Sequence, residues 1–222
     1  MLRPMLRAAA LLSGLLTASP APACETALLL AVDVSGSISN EEYLLQMQGL
    51  ADALADPDVI AALAGGRDKV AVVQWSGITN QRLSLPWQLL LTADDVAALA
   101  ATIRRIKRPQ DHTDTAIGAA LYFSLPLFAE VSDCQRHVID LSGDGAENAG
   151  TFLPAARAEV EAHGITLNAI AIEDDAVSTR LSGYFRRFVI TPDGFVVTSH
   201  GLADYPRAIH EKLLRELTRA VS

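Results

Sequence analysis

Apolar residues along this chain come in two rhythms. Continuous runs such as "TALLLAVDV" (26–34), "DKVAVVQWSG" (68–77), "RHVIDLSGDG" (136–145) and "ITLNAIAI" (165–172) predict strands covered on both faces, as in a parallel sheet. Between them the spacing turns helical. After residue 39, Tyr43, Leu44, Met47, Leu50 and Leu54 share a helix stripe, with Ser39 or Asn40 as cap and Glu41 and Glu42 in the first turn. Residues 92–108 predict a second helix, capped by Thr92 and basic at its C-terminal end. Further helices are expected over 114–129, 151–163 (ended by Gly164) and 203–221.

Two stretches break the alternation. "QRLSLPWQLL" (81–90) reads as a strand, but Pro86 lacks the N–H a central ladder needs, so it is expected at a sheet edge, antiparallel to its predecessor. "FVITPDGFVVT" (188–198) predicts a hairpin-like strand pair around Pro192-Asp193-Gly194. The overall expectation is an α/β fold: a doubly wound, mostly parallel open sheet with helices on both faces, formed as one domain over residues 24–222. In such sheets ligands bind beyond the carboxyl ends of the strands, where the strand order reverses.

The first 23 residues stand outside that pattern. Arg3 and Arg7, an apolar run over 8–18 and Ala21-Pro22-Ala23 read as a signal peptide cleaved before Cys24, which predicts a periplasmic or secreted protein. The apolar run is shorter than the roughly 18 residues a membrane span requires. Without the leader, the net charge goes from −8 to −10. That acidic balance argues against nucleic acid and anionic membrane as partners.

Export also permits Cys24 and Cys134 to pair. Cys24 lies 9 residues before Asp33 and Cys134 lies 10 before Asp144. If both acids end adjacent parallel strands, both cysteines sit at the opposite ends, within bridging reach. The alternative is a lipidated Cys24, although the leader lacks the leucine such signals usually carry.

Three stretches fall on the predicted ligand edge: Asp33-Val34-Ser35-Gly36-Ser37, Asp111-His112-Thr113-Asp114-Thr115 and Ser142-Gly143-Asp144-Gly145. Their carboxylates and hydroxyls are hard oxygen donors suited to Mg²⁺ or Ca²⁺. Apart from His112, which is expected to be a solvated loop residue, no histidine or cysteine joins them, which argues against zinc. Asp and Ser also satisfy backbone groups at ordinary strand-to-helix turns, and Asp144 between glycines has the same plain alternative. His112 and the acidic loop Glu173-Asp174-Asp175 are expected to be solvated. Glu147 and Asn148 are expected to cap or turn, and Trp75 and Trp87 to lie in the core.

Asp33-x-Ser35-x-Ser37, a threonine about 80 residues on and a strand-terminal Asp144 before glycine resemble the metal-ion-dependent adhesion site of von Willebrand factor type A domains. "VIDLSGDGAENAG", "VAVVQWSG" and "LPWQLL" further resemble the exported bacterial family called domain of unknown function 1194. The resemblance implies that Ser35, Ser37 and Thr113 bind one Mg²⁺ (or Ca²⁺ or Mn²⁺) through their hydroxyls, with Asp33 and Asp144 acting mostly through waters. Thr115 is the alternative to Thr113. Ser142-Gly143-Asp144 departs from the threonine many relatives carry before the acid. A non-catalytic module is implied, whose partner, a protein or peptide, offers a carboxylate to the ion.

Two other functions compete. A metal-assisted hydrolase of phosphate esters is possible on this fold class. Against it, the chain has no Gly-x-Ser-x-Gly elbow and no phosphate-cradling glycine loop, and Ser35 replaces the second acid of an Asp-x-Asp pair. The third function is a purely structural envelope protein with no ion.

Overall fold

The computed structural model describes residues 24–109, 114–150, 152–173 and 181–218. The expected leader and the stretch from Asp111 to Thr113 lie outside them, as do Asp174 and Asp175. A six-stranded sheet forms the centre, built from β1 (Cys24–Asp33), β2 (Lys69–Trp75), β3 (Gln81–Leu89), β4 (Cys134–Gly143), β5 (Ile165–Glu173) and β6 (Val196–His200). Its spatial order is β3-β2-β1-β4-β5-β6, with β3 alone antiparallel. The order reverses between β1 and β4, so the crevice a doubly wound sheet offers to ligands opens at their carboxyl ends.

The apolar run of β1 serves two cores at once. Leu28, Leu30 and Val32 face the layer made by α1 (Asn40–Leu54), α2 (Pro57–Gly65), α3 (Ala93–Ile103) and α7 (Tyr205–Thr218). Ala27, Leu29 and Ala31 face the layer made by α4 (Ile117–Ser124), α5 (Leu153–Ala162) and α6 (Leu181–Tyr184). A strand sandwiched in this way cannot alternate polar with apolar residues, hence its unbroken run. Among the described residues no helix is long and apolar enough to cross a membrane.

The predicted caps form. Ser39 and Glu42 make a reciprocal capping box on α1, and Thr92 and Asp95 make another on α3. Helix α2 was not expected; Asp56 caps it and Pro57 occupies its first turn, where no N–H is needed. β3 takes the edge position, and its register with β2 shifts between Val70 and Val72, opposite the stretch that holds Pro86.

Three boundaries differ from expectation. α3 ends at Ile103, so Arg104, Arg105, Lys107 and Arg108 lie beyond it in an irregular connection. Tyr43 of α1 fixes that connection by donating its hydroxyl to the Ile106 carbonyl at 2.9 Å. The helix expected over 114–129 is α4, followed by a 3-10 segment Leu125–Val131 that begins where Pro126 removes a backbone donor. The hairpin over 188–198 does not form. Phe185 and Val189, four residues apart and both fully buried, instead sit on one face of a π-helical turn, Phe185–Val189. Only β6 is a strand, and it pairs parallel with β5. Gly194 makes the turn before it, where a Cβ would come within 2.2 Å of the Leu167 carbonyl oxygen.

Cys24 and Cys134 face each other across β1 and β4, with Cα atoms 4.4 Å apart, and are disulfide-bonded. The bond leaves no Cys24 thiol for a lipid. Trp75 is fully buried, whereas Trp87 is half-buried and donates its Nε1–H to the Leu127 carbonyl at 3.0 Å.

Candidate metal centre

β1 ends on Asp33 and β4 ends one residue before Asp144, so adjacent strands deliver two acids to one edge. Asp33 is fully buried. Its Oδ1 accepts the Ser35 backbone N–H at 2.7 Å, which folds the chain back immediately after the strand. Ile38, also buried, anchors the far side of this turn through its N–H to the Ser35 carbonyl at 3.1 Å. Between these anchors the hydroxyls of Ser35 and Ser37 lie 3.3 Å apart, and Ser37 donates to Asp144 Oδ1 at 2.8 Å. Four of the five expected donors therefore converge. The fifth, Thr113, lies outside the described residues.

The electrostatics of this cluster are unfavourable as it stands. The other oxygen of Asp33, Oδ2, is buried with no hydrogen-bond partner among the described residues. Burial, and then the charge of Asp144, push the Asp33 carboxyl from its ordinary 3.8 up to about 7. Burial raises Asp144 as well, against the hydrogen bond from Ser37, with the charge of Glu42 adding to the rise. An isolated buried carboxylate oxygen costs free energy unless a donor or a cation meets it. The strand beside it leaves space for one, because a Cβ at Gly143 would come within 3.2 Å of that Oδ2. Among the described residues no group of three or more His, Cys, Asp or Glu side chains converges, so a cation here depends on the serine hydroxyls for its coordination. The residues present fit a small, hard divalent ion.

Neighbouring side chains hold the cluster in place. Glu147 meets the first backbone amide of α5, at Leu153, as a capping role requires, and both Glu147 and Asn148 also reach across to another element. Glu147 Oε2 accepts the Gly118 N–H at 2.8 Å in the first turn of α4, and Asn148 Oδ1 accepts the Thr115 N–H at 2.8 Å. Thr115 is buried, and its hydroxyl would lie 3.4 Å from a Cβ on Gly145. Asp114 is exposed. Glu173 is not simply solvated: its Oε1 accepts the Ser182 N–H at 2.5 Å.

The sequence reading missed Arg108. Its guanidinium donates to the Ser35 carbonyl at 2.8 Å and to the Val34 carbonyl at 3.2 Å, bracing the serine turn from the side. The only signal for it in the sequence is its place in a basic run just before the threonine loop.

No curated protein matches the chain. Solved structures do. Proximal thread matrix protein 1 from the mussel byssus, described with a zinc occupied MIDAS motif, aligns with TM-score 0.67 at 18% identity, over 88% of this chain and 48% of that one. A von Willebrand factor type A protein from Catenulispora acidiphila aligns with TM-score 0.62 at 19% identity, over 87% of this chain and 43% of that one. An aerotolerance-related membrane protein from Bacteroides fragilis aligns with TM-score 0.54 at 18% identity, over 86% of this chain and 99% of that one. The chain spans about half the length of the first two. At these identities the likeness establishes a von Willebrand factor A-like fold and nothing about partners. Residues 23–221 match the family described as protein of unknown function (DUF1194), and the chain belongs to that family.

Proposed function

We propose that the chain is an exported, non-catalytic module that engages a protein or peptide partner through one divalent cation at this edge. Asp33, Ser35, Ser37, Asp144 and Thr113 would hold the ion, Thr113 on the family resemblance alone and with Thr115 as its alternative. The observation that carries the reading is Asp33 Oδ2, a fully buried carboxylate oxygen with no partner among the described residues, next to two hydroxyls and a second acid. When bound, the ion supplies positive charge that neutral hydroxyls leave largely uncancelled, which suits it to accept a partner's carboxylate. Mg²⁺, Ca²⁺ and Mn²⁺ match the oxygen donors. Zinc belongs in the comparison too, because the MIDAS motif of the mussel protein is described as zinc occupied. The apolar leader and the disulfide support export.

The test is thermal unfolding of the cleaved protein with each ion, followed by partner capture from an envelope fraction in Mg²⁺ and in EDTA. An ion at about a hundred times its Kd stabilises by about 2.7 kcal/mol, which raises the Tm by roughly 5 to 10 °C for a domain of this size. Ser35→Ala is expected to abolish that rise and the capture together. Capture indifferent to both EDTA and Ser35→Ala refutes metal-mediated binding.

A further inference from the structure

Around the edge that carries the metal site, charge is distributed against the sign of the whole. The chain has 18 Lys and Arg against 26 Asp and Glu, yet four cations fall within the five residues 104–108. Their roles differ. Arg104 is paired with Asp52, and Arg108 is held on the Ser35 and Val34 carbonyls and on Asn40 Oδ1 at 3.1 Å. Arg105 and Lys107 are exposed, and their side chains have neither a hydrogen bond nor an ion pair among the described residues.

These two free cations stand between two grooves. One, of about 360 Å³, has Asn40, Tyr43 and Leu44 of α1 on its far wall, and reaches the start of the helix that follows the serine turn. The other, of about 410 Å³, has Arg82 and Ser84 of the edge strand β3 on its far wall. Arg105, Ile106 and Lys107 line both. The result is a trough leading away from the metal site, cationic along its middle, with apolar surface at Ile106 and at Leu44, which is 63% exposed.

We infer that this trough binds an acidic segment of the partner polypeptide, placing further carboxylates on Arg105 and Lys107 beside the one that reaches the ion. The inference rests on the partner-binding reading of the metal site and names the chemistry of its partner. An acidic peptide fits better than a uniform polyanion or an anionic membrane. A peptide offers apolar side chains to Leu44 and Ile106 between its charges, whereas the acidic remainder of the surface repels any extended polyanion that overruns the trough.

The probe is a fluorescein-labelled octapeptide of alternating glutamate and leucine, read by anisotropy in Mg²⁺ at low and at high salt. Wild-type protein is expected to bind it more tightly than its glutamine counterpart, with affinity falling as salt rises. Arg105→Glu with Lys107→Glu is expected to weaken binding at least about tenfold, and Arg105→Gln with Lys107→Gln by a smaller factor. Both pairs leave the Mg²⁺-induced Tm rise intact, which separates lost charge from lost fold. Failure of the peptide to bind wild-type protein, or binding within about twofold of wild type in the Glu pair, overturns the inference. Tighter binding of heparin or of phosphatidylglycerol vesicles than of the peptide also overturns it. Peptide binding lost in the Glu pair but indifferent to EDTA and Ser35→Ala supports the trough and removes the metal from the proposed function. Binding lost in EDTA but unchanged in the Glu pair does the reverse.

Discussion

Replacing Asp33 by asparagine should stabilise the metal-free protein at alkaline pH while destroying its response to metal. In the folded chain the Asp33 carboxyl keeps its proton up to about 7, because it is buried and near Asp144, whereas the unfolded chain releases it near 3.8. Between those values the folded state binds more protons than the unfolded one. Stability therefore falls as pH rises from about 4 to 7, and the whole cost is present above that range. A rise from 3.8 to about 7 corresponds to roughly 4 kcal/mol. Asparagine cannot ionise and keeps an oxygen for the Ser35 N–H, but it sets an amide donor where Oδ2 has no partner, at a cost of about 1 to 3 kcal/mol. The net expectation is a gain of roughly 1 to 3 kcal/mol near pH 8 and a loss of up to about 1 to 3 kcal/mol near pH 4, where the wild-type carboxyl is protonated too. Urea unfolding in EDTA at both pH values measures it, and Mg²⁺ titration at pH 8 should no longer raise the midpoint. An asparagine variant destabilised equally at the two pH values would refute the argument that Asp33 is held as an uncompensated acid.

Two further outcomes test the scaffold. Cys24→Ser with Cys134→Ser opens a closed loop of sequence separation 110, which the chain-entropy relation values at about 5 kcal/mol, visible as a lower urea midpoint with an unchanged response to Mg²⁺. Lys212, fully buried between Asp140 at 2.7 Å and Glu216 at 3.0 Å, is the second case. Lys212→Met should cost roughly 3 to 5 kcal/mol in urea unfolding by stranding two buried acids, and adding Asp140→Asn and Glu216→Gln should recover much of it.

The elements that were legible in the sequence are those whose local rule is also their tertiary one. β1 and β4 read correctly because burial on both faces writes itself as an uninterrupted apolar run, and Pro86 placed β3 at the edge through one missing donor. The turn at 188–198 misled because Pro192-Asp193-Gly194 is a strong turn signal whichever structure precedes it. The helical spacing of Phe185 and Val189 begins upstream of the window that looked like a hairpin. Of the candidate site, Asp33, Ser35, Ser37 and Asp144 do come together, since a strand that must end at the ligand edge carries its polar residues there. Arg108 and the Lys212 cluster were invisible. Arg108 meets Val34, Ser35 and Asn40 from far away in sequence, and Lys212 with Glu216 one turn along reads as an ordinary solvated helix pair until the sheet beneath supplies Asp140.

The short loop after β4 ties together the serine turn, the segment around Thr115 and the start of α4. Asp144 takes the hydrogen bond of Ser37, Asn148 takes the amide of Thr115, and Glu147 takes the amide of Gly118 at the start of α4. A ligand that draws Asp144 by even a fraction of an ångström therefore acts as a lever on α4. Its arrival should be readable at a distance, as altered deuterium uptake by the amide of Gly118 at the start of α4.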